Sequence, residues 1–244
     1  MARGAPDNSD IVKQGAVYRL DDMAELAARL GSICNYNRFG DVIFMEDFER
    51  GAAKWVFTQY GTGTTISISS DNALSGNQCI LLHAAAGLAN QAIITKALAL
   101  PISTRLGFSF AFNLGANFVY MGSYVKYYTG TRLYQFEIDY DWATGYFKYY
   151  TVGKVMQNFL YAGQLSKDKK LFHIAKMTFN AETGDYNTLF IDNISADMSK
   201  FNCGYVSDNT NPHLELLIGS IALSTSASDI YIDDVILTQN EFLI

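Results

Sequence analysis

The sequence predicts an all-β fold, a jelly-roll β-sandwich preceded by a short N-terminal helical arm. Three observations lead to this prediction. About ten short runs after residue 40 alternate apolar with polar residues, clusters of Gly, Asn, Asp and Ser separate them, and residues 1–40 follow a different pattern. That many short strands at such spacing are typical of two packed antiparallel sheets. We therefore divide the chain into an arm, residues 1–40, and a sandwich domain, residues 41–244.

The strands are predicted from period-two alternation and from an excess of β-branched and aromatic residues. Turn-forming clusters at 74–77, 143–145 and 181–185 separate several of them. In chain order the predicted strands are 42–48, 65–69, 79–83, 106–112, 133–140, 146–150, 171–179, 188–192, 214–218 and 230–237.

The arm contains a predicted amphipathic helix. Asp22 with Glu25 three positions later fits a capping box, and Gly31 is a typical C-terminal stop. A helix of about eight residues is shorter than the ~12–15 that an isolated helix needs, so it must dock on something. Its partner is either its own sandwich or another subunit. The apolar stripe that would make this contact consists of Met23, Leu26, Ala27 and Leu30.

Composition excludes several classes of protein. The chain has 244 residues, 49% hydrophobic, 14% aromatic and only 17% charged, which excludes disorder for most of its length. The formal net charge of −6 argues against a nucleic-acid partner, because such binding depends on Lys and Arg. The apolar runs are all interrupted before the roughly 18 residues that a membrane helix needs, so we expect no membrane span.

The N-terminus and the cysteines indicate the compartment. The first ten residues hold one arginine with no apolar segment behind it, so we expect no secretory signal. Cys34, Cys79 and Cys203 are odd in number, far apart and without a nearby histidine at ligand spacing. We therefore expect small buried thiols in a reducing compartment.

Several segments resemble lectin-like and carbohydrate-module jelly rolls, namely the concanavalin-A-like, galactose-binding-like and laminin-G-type sandwiches. The resemblance covers about residues 41–240 and implies the fold more than the ligand. The matching segments are 46–51 with Trp55, 73–82, 172–186 with 189–192, and 230–235.

The layout of an arm before a jelly roll also resembles head-decoration or minor capsid proteins of tailed bacteriophages. This resemblance of architecture implies a virion location after synthesis in the host cytoplasm. It also implies a homo-oligomer whose partners are the major capsid protein or other virion subunits.

Three carboxylates lie at alternate positions of one predicted strand. Glu137, Asp139 and Asp141 therefore face the same side of a sheet. The pattern resembles the E-x-D-x-E strand of lectin-fold glucanases, which implies Glu137 as nucleophile and residue 141 as acid/base. Retaining chemistry needs two carboxyl groups roughly 5–5.5 Å apart, and Asp141 is shorter than the expected Glu. We therefore expect a solvated row of carboxylates and no enzymatic activity.

A second acidic cluster predicts a structural calcium site. Glu46, Asp47 and Glu49 precede the body of the sandwich, and Asp233 and Asp234 lie near its end. In jelly rolls of the resembled kind, the first and last strands often lie side by side and share Ca²⁺, which prefers oxygen ligands. Glu49 and Asp233 are the leading candidate ligands.

Tyrosines are concentrated in the middle of the chain, where ten of the sixteen lie between residues 120 and 161. Tyrosine suits ordinary sheet faces, a subunit interface and sugar stacking, and the sequence leaves these three alternatives open. The residues singled out for an interface or a glycan are Tyr127, Tyr128, Trp142, Tyr149 and Tyr150.

Three functions therefore compete: a virion structural protein, a carbohydrate-binding module and a glucanase. The expected absence of an export signal and the docking arm favour the first, and Asp141 argues against the third. The sequence predicts a non-catalytic capsid decoration protein, with a glycan-binding, lectin-like module as the alternative.

Overall fold

The computed structural model describes residues 40–153, 155–223 and 225–242, which form a two-sheet antiparallel β-sandwich. The all-β, jelly-roll prediction is confirmed for this part of the chain. The predicted arm residues Met23, Leu26 and Leu30 lie outside the described residues, as does Cys34. Within the described residues, no helix combines the length and hydropathy needed to cross a bilayer.

The described residues contain sixteen strands, where the sequence predicted about ten. In chain order they are β1 Asp41–Glu46, β2 Val56–Tyr60, β3 Thr65–Ser69, β4 Cys79–Ala84, β5 Gln91–Leu98, β6 Arg105–Leu114, β7 Tyr120–Tyr128, β8 Arg132–Asp141, β9 Tyr146–Tyr150, β10 Met156–Tyr161, β11 His173–Asn180, β12 Asp185–Ile191, β13 Ile194–Asp197, β14 Val206–Ser207, β15 His213–Ile221 and β16 Ser228–Gln239.

The strands divide into two sheets of eight. Sheet I has the order β13-β12-β11-β6-β16-β4-β3, with β1 also paired to β16. Sheet II has the order β10-β9-β8-β7-β15-β5-β2, with β14 also paired to β8. The first and last strands are thus neighbours, joined for example at Met45 and Ile236, as the jelly-roll prediction expected.

The core lies between the two sheets and is rich in aromatic rings. Phe136 of sheet II stacks on Phe179 of sheet I with ring centroids 4.1 Å apart, and Tyr186 meets Phe136 edge-on at 5.4 Å. Such contacts stabilise a sandwich beyond simple burial of area. Cys79 and Cys203 are buried, unpaired thiols, as predicted.

Strand β8 shows the predicted alternation. Its core-facing side chains all belong to the buried cluster, so the residues between them must point away from the core. This places the carboxylate row on the outer face of sheet II. The core-facing residues of β8 are Tyr134, Phe136, Ile138 and Tyr140.

Candidate functional site

The outer face of sheet II, which we call the open face, carries a row of tyrosines, lysines and carboxylic acids. It is defined by the alternate positions of β7, β8, β9 and β15 whose neighbours along the strand belong to the core. Its members are Tyr120, Gly122, Tyr124, Lys126 and Tyr128; Leu133, Gln135, Glu137, Asp139 and Asp141; Tyr146, Lys148 and Tyr150; and His213, Glu215, Leu217, Gly219 and Ile221.

Strand register sets tyrosines beside carboxylates. Tyr124 lies directly opposite Glu137, and Tyr120 lies opposite Asp141. On the other side of β8, Lys148 lies opposite Asp139. Directly opposite residues on one face of an antiparallel pair are close enough for their side chains to interact.

Asp139 is the most unusual group on this face, because its carboxyl is only 5% exposed. Tyr120 Oη donates a hydrogen bond of 2.5 Å to Asp139 Oδ2. Asp139 Oδ1 is buried and has no hydrogen-bond partner among the described residues when the carboxyl is ionised. Burial raises the pKa of the Tyr120 phenol, and the charge of Asp139 adds to the effect, so Tyr120 remains a donor.

Glu137 and Asp139 form a proton-sharing pair. Burial, and next the charge of Glu137, raises the pKa of Asp139 well above its ordinary value. Burial also raises the pKa of Glu137, whereas hydrogen bonds from Gln135 and Asp139 oppose this rise. The two carboxyls are therefore joined by one hydrogen bond in which protonated Asp139 donates to Glu137.

Two lysines neutralise the remaining carboxylates of the face. Burial would raise the pKa of Asp141, but the Lys148 ammonium, 2.8 Å away, outweighs this and lowers it. Lys126 pairs with Glu215 at 3.1 Å. Asp141 is thus an ionised, paired group, unlike Asp139.

Two glycines lie beside Asp139 on the open face. Gly122 of β7 and Gly219 of β15 are direct partners, and both are buried among neighbouring side chains. A Cβ atom at Gly122 would lie 3.3 Å from Asp139 Oδ1 and 3.9 Å from Ile221 Cδ1. The missing side chain at Gly122 therefore makes room for the buried Asp139 carboxyl.

A pocket of about 310 Å³ lies at one end of the face. Leu133 and Gln135 of β8 and Tyr150 of β9 form one side of it, and Tyr205 and Val206 form another. A second, shallower depression lies across β2, β5, β15 and β7. The open face therefore continues on both sides of the carboxyl pair.

The tyrosines selected from the sequence separate by strand alternation. Tyr127 and Tyr149 point into the core, 8% and 7% exposed, which removes them from any glycan or partner contact. Tyr128 lies on the open face, stacked on His213 at 4.3 Å, and Tyr150 lines the pocket.

Trp142 lies just beyond β8, away from the carboxyl pair. Its indole Nε1 donates to Leu165 O at 3.1 Å, and Lys167 Nζ lies 3.4 Å from the centre of its ring. These two contacts fix the position of the Trp142 side chain.

The predicted calcium ligands converge on the loop 72–78. Asp233 Oδ2 accepts hydrogen bonds from the backbone N–H groups of Leu74 at 2.9 Å and Ser75 at 3.2 Å. Glu49 Oε1 accepts from the backbone N–H groups of Asn77 and Gln78, both at 2.6 Å. Strand topology therefore brings Glu49 and Asp233 to one loop, without gathering the five predicted ligands into one cluster.

The other predicted ligands have separate contacts. Glu46 is buried and lies 3.3 Å from Lys54 Nζ, Asp47 accepts a hydrogen bond from the backbone N–H of Glu49, and Asp234 accepts one from Ser75. Burial, and next the charge of Asp234, raises the pKa of Asp233 to about 7, a charge balance that a cation would improve. In the described ranges, no three His, Cys, Asp or Glu side chains cluster tightly enough to hold a metal. A calcium ion would therefore need backbone oxygens as well, and it stays a prediction.

Tyr120, Tyr124 and the buried state of Asp139 were not identified from the sequence as site features. Strand β7 was not predicted, although its alternation of tyrosine with small and aliphatic residues was a usable signal. Gly122 in mid-strand was a second signal, since such a glycine often marks close approach of another group.

Comparison with solved structures finds the same β-sandwich fold in other proteins. The cellulose-induced protein Cip1 is similar with a TM-score of 0.56 and 13% identity, over 82% of this chain and 99% of that chain. A carbohydrate esterase from Shiga toxin-encoding bacteriophage phi24B has a TM-score of 0.55 and 15% identity, over 83% and 100%. A sialidase has a TM-score of 0.50 and 9% identity, over 82% of this chain and 19% of the sialidase. No family model and no curated protein sequence matches the chain.

Proposed function

We propose that this protein is a carbohydrate-binding module that takes a neutral glycan on the open face of sheet II and does not cleave it. The observation that carries the proposal is the depression on this face lined by Tyr124, Lys126 and Glu215, where a tyrosine ring lies beside paired polar groups. Such a ring gives a sugar stacking area, and the polar groups beside it can hydrogen-bond to its hydroxyls. The face continues past Glu137 to Gln135 and Tyr150 at the 310 Å³ pocket.

The charges of the face favour a ligand without acidic groups. The Lys126–Glu215 and Lys148–Asp141 pairs are internally neutral. The Glu137–Asp139 pair shares a proton and so keeps a negative charge. A uronate or sulfated sugar would be repelled there, whereas the hydroxyls of a neutral sugar would find acceptors.

The geometry of the carboxyl row supports binding rather than hydrolysis. Burial raises the pKa of Glu137, the candidate nucleophile, and Gln135 Nε2 already donates to it at 2.5 Å. Asp141, the candidate acid/base, is held ionised by Lys148, and an ionised carboxyl cannot donate a proton to a leaving group.

The similar structures support the lectin-like alternative over the capsid hypothesis. Cip1 is named for induction by cellulose, and the bacteriophage protein is named as a carbohydrate esterase. The capsid hypothesis depended on an arm that lies outside the described residues. We therefore favour the glycan-binding function over the capsid function, and a virion location stays a prediction.

The test is glycan binding by the full chain and three variants. A neutral-glycan array followed by titration calorimetry is expected to show binding by the wild type. Tyr124→Ala and Glu215→Ala are expected to weaken it at least about tenfold, equivalent to about 1.4 kcal/mol. Tyr231→Ala is the matched control, because Tyr231 lies on sheet I and should leave affinity unchanged. An equal loss in the control, or no binding by the wild type, would contradict the proposal.

A further inference from the structure

Sheet II is interrupted along one edge of β8. Strand β7 covers the whole of the opposite edge, from Leu133 to Asp141. On the interrupted edge, β14 pairs only as far as Leu133, and β9 begins to pair at Ile138. Among the described residues, no strand fills the stretch between them.

Buried polar groups fill the floor of this interruption. Tyr186 Oη accepts a hydrogen bond of 3.0 Å from the Glu137 backbone N–H and donates to Tyr150 O at 3.1 Å. The backbone N–H of Gln135 contacts the Cys203 thiol, whose pKa burial raises to about 12, so that it remains neutral. The backbone N–H groups of Gln135 and Glu137, which pair with no strand on this edge, therefore have partners beneath the sheet. The space above them forms part of the 310 Å³ pocket.

The pocket presents an aromatic ring that is both exposed and held in place. Tyr205 is 54% exposed, although its ring contacts other groups on two sides. The Arg132 guanidinium lies 4.3 Å from the ring centre, and the Tyr134 ring lies 5.9 Å away. An aromatic ring fixed from behind and open in front gives stacking area at little cost in conformational entropy.

The pocket is continuous with the carboxyl pair. Gln135 forms part of its wall, and Gln135 Nε2 donates to Glu137 Oε2 at 2.5 Å. A ligand that extends from the pocket along the face would therefore cross Glu137. Val152 N–H bonds to Asn202 O at 3.2 Å and ties together the two loops beside the pocket.

We propose that this pocket is a subsite for the terminal ring of a neutral oligosaccharide, with the preceding rings lying over the Glu137–Asp139 pair. The inference rests on the proposed function and adds to it that the protein recognises glycan ends rather than chain interiors. A volume at the lower end of the range for small-molecule sites fits one ring. The exposed face of Tyr205 would stack on that ring.

The experiment titrates the full chain with linear cellohexaose, xylohexaose and maltohexaose, and with cyclic maltohexaose, which has no ends. Leu133→Trp fills the pocket, and Tyr205→Ala removes the exposed ring. Both are expected to weaken binding of the linear sugars at least tenfold, and the ring-closed sugar is expected to bind at least tenfold more weakly than its linear form. Borohydride reduction opens the ring at one end, and its effect on affinity identifies which end enters the pocket.

The outcomes separate the two proposals. If Leu133→Trp and Tyr205→Ala both bind like the wild type while Tyr124→Ala binds weakly, the open face binds glycans and the terminal subsite is wrong. If the wild type binds no neutral glycan of the array, these three linear sugars included, the glycan-binding function itself fails and the subsite with it. Matched thermal melts of the two pocket variants are expected to overlay the wild type, and a circular dichroism spectrum checks that Leu133→Trp is folded.

Discussion

The Asp139→Asn variant is predicted to make the protein more stable at neutral pH than the wild type. Burial raises the folded-state pKa of both Glu137 and Asp139 above their unfolded values of about 4.3 and 3.9. Between those unfolded values and the raised folded ones, the folded protein binds more protons than the unfolded chain. The free energy of unfolding of the wild type therefore falls as pH rises through that window.

Asparagine keeps the shape of the site without the charge. Its oxygen can accept from Tyr120 and its amide can donate to Glu137, the two hydrogen bonds that the protonated acid makes. The variant then lacks the penalty for ionising a carboxyl that is only 5% exposed. Wherever the pair holds one extra proton, the difference between variant and wild type grows by about 1.4 kcal/mol per pH unit.

The assay is chemical and thermal unfolding at pH 4, 5, 6, 7 and 8. For a domain of this size, 1 kcal/mol corresponds to about 2–4 °C in the melting midpoint. The gap between Asp139→Asn and wild type should be small near pH 4 and widen as pH rises. Parallel pH profiles for the two proteins would refute the buried, protonated Asp139.

Asp141→Asn is the matched control, because it should change the free energy of unfolding at neutral pH in the opposite direction. Lys148 lowers the folded-state pKa of Asp141, so this carboxylate adds stability above its unfolded pKa and loses it as pH falls through the folded value. Asp141→Asn should therefore be less stable than wild type at pH 7 and approach it under acid conditions. A stabilising effect at pH 7 would show that Lys148 does not pair with it.

Three further predictions address Gly122, the sheet interruption and the metal. Gly122→Ala should lower the free energy of unfolding in urea by about 1–3 kcal/mol, because its Cβ would lie 3.3 Å from the buried Asp139 Oδ1, and an unchanged unfolding midpoint would contradict this close approach. Tyr186→Phe should lower the free energy of unfolding in urea by about 1–3 kcal/mol, because the Glu137 N–H loses its acceptor, and a smaller loss would indicate a substitute partner such as water. Ca²⁺ added after EGTA should stabilise the protein by about 2.7 kcal/mol at a hundredfold excess over Kd. Asp233→Asn should remove that effect, and a melting midpoint insensitive to Ca²⁺ in the wild type would leave these carboxylates as loop anchors.

Strand β8 shows how far the sequence alone could go. Alternation placed Glu137, Asp139 and Asp141 on one outer face, and the structure confirms this, but the expectation that all three are solvated is wrong for Asp139, which is 5% exposed. Alternation cannot assign a burial to each of them, because burial is set by neighbouring strands. Tyr120 and Lys148 come from β7 and β9, and their register with β8 is not written in β8 itself.

The missed strands explain the missed site residues. Strands β5 and β7 lie on either side of β15 in sheet II, yet β5 begins and ends among mixed apolar and polar residues and β7 contains Gly122 in its middle. Glycine weakens a strand prediction because it has low intrinsic strand preference. Here its value is the missing side chain beside Asp139, which only the finished sheet reveals.

For the calcium site, the sequence correctly predicted that the first and last strands are neighbours, whereas it did not determine whether the carboxylates bind a metal. The pairing of β1 with β16 brings Glu49 and Asp233 to one loop, as expected for a jelly roll. Each carboxylate is already occupied by backbone N–H groups, which lowers the need for a cation.

Asp139 differs from the paired carboxylates of the open face. Asp141 has Lys148 and Glu215 has Lys126, whereas Asp139 Oδ1 is buried with no donor among the described residues. A buried acceptor without a donor is costly when the carboxyl is ionised, so the Glu137–Asp139 pair retains a proton. Asp139→Asn supplies the same two hydrogen bonds without an ionisable group, which is why it should stabilise the protein as pH rises.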